Sequence, residues 1–153
     1  MKKSILVIAL VMTANVLMAQ NRTANTRDYK TALGIKIWNG GGVSLKTFVA
    51  EQKALEFIGF FSSASTRITG LYELHGDLNS EGNFKWYLGF GAHANIYKRY
   101  TGVGIDGVAG LDYKFSNLPL NLALDWQPAF ELGSGSNNGF YSNWGGLAIR
   151  FTL

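Results

Sequence analysis

The chain has 153 residues, of which 16% are charged and 14% aromatic, with no cysteine and a formal net charge of +4 at pH 7. The missing cysteine excludes disulfides, a thiol nucleophile and a lipid-bearing cysteine. Setting Lys2 and Lys3 aside lowers the charge from +4 to +2, too small an excess to suggest nucleic acid as a partner.

Lys2 and Lys3 open the chain with a basic segment, Ile5 to Val11 follow as an apolar run, and Leu17, Met18 and Ala19 offer a signal-peptidase site. Residues 1–19 are therefore expected to be a cleaved signal peptide. Thr13 and Asn15 interrupt the run, which falls short of the roughly 20 apolar residues of a membrane-spanning helix. Residues 20–30 are polar and expected to be a flexible lead-in. Residues 31–153 have the length of one domain, since domains usually hold roughly 100 to 200 residues.

Eight strand-like segments follow in this domain, at residues 31–38, 42–49, 54–61, 66–75, 84–97, 103–115, 118–132 and 141–153. Turn-forming clusters of glycine, serine and asparagine divide them. From residue 84 to 124 the alternation is sustained: Phe84, Trp86, Leu88, Phe90, Ala92, Ala94 and Ile96 share one face, opposite Lys85, Tyr87, Gly89, Gly91, His93, Asn95 and Tyr97. Val103, Ile105, Ala109 and Leu111 repeat the pattern, as do Leu118, Leu120, Leu122, Leu124 and Trp126. The third segment is less regular, because Ile58 and Phe60 make both of its faces apolar. Pro119 and Pro128 fall near strand ends, where a missing N–H is tolerated.

Alternation does not by itself say which face is inside. Several segments reach the roughly 9 to 11 residues of a tilted membrane strand, whereas soluble strands average about 5 or 6. The polar face also carries small residues suited to a narrow lumen, among them Gly89, Gly91, Gly104, Gly110, Ala123 and Ala148. With the apolar face toward lipid, the lumen receives the cations Lys36, Lys46, Arg67, Lys85, Lys114 and Arg150, and the anions Glu56, Glu73, Asp106, Asp112, Asp125 and Glu131. This balanced set is expected to form an ion-pair network filling the barrel, since an unpaired buried charge is very costly. Aromatics complete the picture: Tyr72, Phe84, Trp86, Tyr113, Phe115 and Phe151 are expected near the periplasmic rim, and Phe130 and Tyr141 near the other. Closure is required because lipid offers no partner to an open sheet edge.

With these features the chain resembles the small eight-stranded outer-membrane β-barrels of Gram-negative bacteria, similar in plan to the transmembrane domain of OmpA and to OmpX. The likeness is sharpest at residues 111–128, Leu-Asp-Tyr-Lys-Phe-Ser-Asn-Leu-Pro-Leu-Asn-Leu-Ala-Leu-Asp-Trp-Gln-Pro. The ending Ala148, Ile149, Arg150, Phe151, Thr152, Leu153 is similar to the signal read by the outer-membrane assembly machinery, with leucine where an aromatic is usual. The resemblance implies an all-β, up-and-down transmembrane barrel in the outer membrane, and it brings no catalytic residues.

Outer-membrane lipid A enzymes rely on histidine, serine and an acid. Here His93, Ala94 and Asn95 have the spacing of His-x-Ser, but asparagine stands where the nucleophile belongs, so an enzyme is not expected. His93 is expected to be a lumen hydrogen-bonding residue and His75 a residue of the periplasmic rim. Gly102 to Gly107 match G-x-G-x-x-G without the helix that a dinucleotide site needs, and two distant histidines suggest no metal; no cofactor is expected. Eight strands leave room only for side chains, so no channel is expected either. Lys98, Arg99 and Tyr100 form a basic-aromatic tip suited to lipopolysaccharide phosphates, and residues 133–143, with Phe140 and Tyr141, are the expected contact for a membrane-protein partner. The expected role is structural or interactive. The alternatives are a lipid A-modifying enzyme and a soluble periplasmic β-barrel that binds an apolar ligand.

Overall fold

The computed structural model describes residues 29–132 and 139–153. The expected signal peptide, residues 20–28 of the lead-in and residues 133–138 lie outside them. Ten strand segments run in chain order: β1 Thr31–Trp38, β2 Gly40–Ala50, β3 Lys53–Phe61, β4 Ser65–Asp77, β5 Phe84–Tyr97, β6 Thr101–Lys114, β7 Leu120–Trp126, β8 Ala129–Leu132, β9 Gly139–Tyr141 and β10 Gly145–Thr152.

All pairings are antiparallel. Strands β1 to β6 pair successively, β7 and β8 both lie on β6, β9 lies on β8, and β10 joins β7 to β1. Because β7 and β8 are two halves of one wall strand, and β9 and β10 two halves of the next, the result is a closed, eight-stranded, up-and-down barrel. The turns after β1, β3 and β5, with the end of β8 and the start of β9, mark one end, called upper here. The turns after β2, β4 and β6 mark the lower end. At the lower end Gly82 takes the left-handed φ of +70° that glycine adopts without strain, and its N–H donates to the Asn79 carbonyl at 3.2 Å.

Closure rests on the pairing of β1 with β10, from Ala32 opposite Thr152 to Ile37 opposite Leu147. Gly34 faces inward there, opposite Arg150, and a Cβ on it would collide with the Ile149 carbonyl oxygen. The missing side chain lets the seam come together around a large guanidinium.

The seventh and eighth expected strands are each interrupted. Residues 118–132 break at Gln127 and Pro128, because Pro128 has no N–H to give to the ladder. Its carbonyl still accepts from Gly107 N at 2.8 Å, while Gln127 N donates to Trp144 O at 2.9 Å. The partner strand breaks at residues 142–144, where Trp126 Nε1 donates to Ser142 O and Trp38 Nε1 to Asn143 O, both at 2.7 Å. Two exposed indoles thus satisfy carbonyls that the break frees from the ladder. Trp144 turns inward instead, its ring 6.0 Å from that of Phe60.

The two apolar faces of β3 are resolved by the barrel interior. Ile58 and Phe60 are buried inside it with Leu71, Tyr87 and Val108, and Trp144 packs against them. Phe57 and Phe61, in the other phase, are exposed on the outside at 52% and 58%. One expected aromatic is displaced: Tyr72 lies 5.9 Å from Phe90, which is half-way along β5 rather than at the lower end. Phe84, Tyr113 and Phe115 do cluster at the lower end, with centroids 6.2 and 4.9 Å apart.

Candidate functional site

Because side chains alternate across each strand, every second residue of the wall points into the barrel. Of the twelve charged residues expected there, ten are buried: Lys36, Lys46, Glu56, Arg67, Glu73, Asp106, Asp112, Asp125, Glu131 and Arg150. The other two sit at the lower mouth. Lys85, its side chain 15% exposed, lies 3.7 Å from Asp77, and Lys114 Nζ donates to the carbonyls of Phe115 and Leu118 at 2.6 and 2.9 Å. The buried set is thus four cations against six carboxylates, so the lumen is more acidic than the sixfold balance expected of it.

The larger group occupies the lower and middle lumen. Arg150 pairs with Glu56, donates from Nε to Ser44 Oγ at 2.7 Å and from Nη1 to Asn121 Oδ1 at 3.0 Å. Lys36 Nζ donates to Asp125 at 2.7 Å, and Tyr87 Oη reaches the same carboxylate oxygen at 2.7 Å. Lys46 stands between Glu73, Asp112 and Glu56 at 2.8, 3.6 and 3.7 Å, with its ammonium 4.1 Å from the centre of the Tyr87 ring. A cation that meets three carboxylates and an aromatic face has its desolvation offset from several sides.

His75 belongs to this group and not to the rim. It is 3% exposed, stacks on Tyr87 at 5.0 Å and lies with Nε2 2.9 Å from Glu73. Phe48 and Tyr29 continue the aromatic column downward, at 4.9 and 5.3 Å between successive centroids. Tyr29, just before β1, reaches Asp112 at 3.4 Å. Burial, and then the Asp112 carboxylate, push its phenol well above the ordinary tyrosine range.

The smaller group fills the upper lumen. Arg67 pairs with Asp106 and lies 4.3 Å over the Trp144 ring. Gln127 Nε2 donates to Asp106 at 3.1 Å, and His93 Nδ1 stands 2.7 Å from its other oxygen. Arg67 also comes within 3.1 Å of His93 Nδ1. An arginine only donates and a carboxylate only accepts, so the shorter contact assigns the proton to Nδ1 and the bond to Asp106. Above this, Asn95 Nδ2 donates to Glu131 at 3.0 Å. Ile58, Leu71 and Val108 separate the two groups with an apolar layer.

No protein-family model, curated protein or solved structure matches this chain.

What the geometry establishes is a small closed barrel whose interior is polar and whose exterior is apolar. The neutral members of the networks, Ser44, Thr69, His75, Tyr87, Asn95, Asn121 and Gln127, were not singled out by charge. Their common mark is phase: Ser44 is two residues from Lys46, Thr69 from Arg67, His75 from Glu73 and Gln127 from Asp125, so each shares its neighbour's face. Lys98 and Arg99 lie apart from both networks, exposed at the upper turn between β5 and β6.

Proposed function

We propose that this chain is an integral β-barrel protein of a Gram-negative outer membrane, exported by residues 1–19, with a structural or interaction role and no conducting channel. The observation that carries the reading is the inversion of sides. Lys36, Lys46, Glu56, Glu73 and Arg150 are all 0% exposed, while Phe90, Ile105, Phe57 and Ile35 stand at 68, 61, 52 and 52% on the outer wall. In water such a wall would be an apolar patch far beyond the few hundred Å² that monomeric proteins expose. In hydrocarbon it is the expected surface, and the closed ladder pairs the backbone from strand to strand around the wall. The same inversion counts against a soluble barrel with an apolar ligand core. A lipid A enzyme is not part of this reading, since Asn95, at the nucleophile's place, donates to Glu131.

With this topology the upper end faces outward, and Lys98 and Arg99 lie just above Ile96 and Val103, exposed at 46 and 52%, at the height of lipid headgroups. Their partner in this reading is the phosphate of lipopolysaccharide. The outer-membrane assembly machinery is the partner during biogenesis, and a membrane protein meeting the β8 to β9 connection is a third. Cell fractionation, with gels run before and after boiling, tests the central claim. A heat-modifiable band in the outer-membrane fraction is expected; release with soluble periplasm would overturn it.

A further inference from the structure

The lower network carries one more carboxylate than cation. Lys36, Lys46 and Arg150 face Glu56, Glu73, Asp112 and Asp125, all of them buried, while Lys85 at the mouth lies against half-exposed Asp77. Neutral donors help to hold three of the four acids. Asp125 takes Tyr87 Oη beside Lys36, Asp112 takes Asn121 Nδ2 at 2.7 Å and Tyr29 Oη at 3.4 Å, and Glu56 Oε1 takes Ser44 Oγ beside Arg150. On the two glutamates, Glu56 Oε2 and Glu73 Oε1 are fully buried and have no hydrogen-bond partner.

These oxygens belong to adjacent side chains. Across β3 and β4, Glu56 lies opposite Leu71 and Glu73 opposite Ala54, which makes the two glutamates diagonal neighbours on the inward face. Lys46 Nζ touches both, 3.7 Å from Glu56 Oε2 and 2.8 Å from Glu73 Oε2. The two carboxyl groups stand within side-chain hydrogen-bond reach of each other. Ionised carboxylates only accept, so no hydrogen bond joins the pair unless one member carries a proton. The neighbours say which. Glu56 is paired with Arg150 and has Lys36 at 3.9 Å as well, whereas Glu73 shares its one lysine, Lys46, with Glu56 and Asp112. His75 does not supply the missing charge, because its Nδ1 is buried without a partner and an imidazolium would bury a charged N–H there. The neutral ring instead donates from Nε2 to Glu73 Oε2 at 2.9 Å.

We propose that Glu73 and Glu56 share one buried proton at neutral pH, carried on Glu73 Oε1 and donated to Glu56 Oε2. Three cations and one proton then face four carboxylates, and both orphaned oxygens are satisfied by a single hydrogen bond. The proton ties the barrel to pH from inside. Unfolding exposes both glutamates to water, where they are ionised at neutral pH, and so releases the proton. The folded state binds one proton more than the unfolded chain, and its stability falls as pH rises through the range in which the pair gives that proton up. Beyond that range two like charges repel each other in a closed lumen.

The test uses the folded, full-length protein in detergent at neutral pH. Its infrared spectrum should contain the carbonyl stretch of a protonated carboxylic acid, and ¹³C labelling of the glutamate carboxyl groups should move that band. This measurement needs no variant and holds even if a substitution prevents folding. Glu73→Gln keeps a neutral side chain with an N–H to donate to Glu56, so it should remove the band and leave the urea midpoint of refolding no lower than before. Between about pH 7 and 9, above the range in which histidine titrates, the midpoint of the unaltered protein should fall while that of Glu73→Gln stays level. An absent band, a band that ignores the glutamate label or survives Glu73→Gln, or equal pH slopes would each overturn the proposal. So would a lower midpoint for Glu73→Gln at neutral pH, which would make Glu73 an ionised partner of Lys46. Proton and location fail separately, since the pair lies inside the barrel whatever surrounds the wall.

Discussion

Single charges in this barrel differ sharply in what they contribute, and burial decides the difference. Arg150 is 0% exposed and holds Glu56, Ser44 and Asn121 together. Replacing it by leucine leaves Glu56 buried beside a broken partner, and removing one member of a buried pair costs about 3–5 kcal/mol. Lys85 and Asp77 form a 3.7 Å pair whose acid is half-exposed, the kind of pair worth about 0–1 kcal/mol. Arg150→Leu should therefore lower the urea midpoint of refolding far more than Lys85→Leu, measured from the intensity of the unboiled band. Equal losses would mean that the lumen network does not hold the barrel. At the surface, Lys98→Ala with Arg99→Ala should leave that midpoint unmoved and reduce the lipopolysaccharide that copurifies; unchanged retention would remove these two residues from the headgroup contact.

At the scale of the strand, glycine positions separate seam from wall. A side chain at Gly34 would collide with the backbone of Ile149 and Arg150 across the closing pair, whereas the nearest neighbour to a Cβ on outward Gly70 is the Phe57 ring at 3.8 Å. Gly34→Ala should abolish the compact unboiled band, and Gly70→Ala should keep it; a compact band from Gly34→Ala would show that β1 and β10 can close with the wall displaced. The period of two made nearly all of the strands legible, because it records the inward and outward phases directly. It did not reveal the breaks at residues 127–128 and 142–144. Pro128 forfeits one donor locally, but the matching break opposite it depends on indoles from Trp38 and Trp126 reaching carbonyls over 105 and 16 residues of chain. The placement of His75 was hidden for a related reason: its strand runs on to Asp77, and only the aromatic column from Tyr29 to Tyr87 shows that the lumen is still closed at that height.

For the whole molecule, the deciding question is which solvent meets the wall, and one outward residue tests it. Phe90 lies mid-strand on β5, is 68% exposed and touches the Tyr72 ring at 5.9 Å. In water, exchanging so exposed a phenylalanine for lysine would cost little or improve solubility, since surface substitutions usually stay within about ±0.5 kcal/mol. At the midplane of a bilayer the same exchange costs about 2–4 kcal/mol, and the cost falls toward the interfaces. Phe90→Lys should therefore lower folding stability in lipid vesicles by that amount, while lysine at Phe61, exposed on the last residue of β3 beside the upper turn, should cost much less. A depth-dependent pair of losses can arise only if hydrocarbon surrounds the wall. Two neutral substitutions would instead give the wall to water, and the ion-paired lumen would then be the interior of a barrel turned inside out for a partner that covers it.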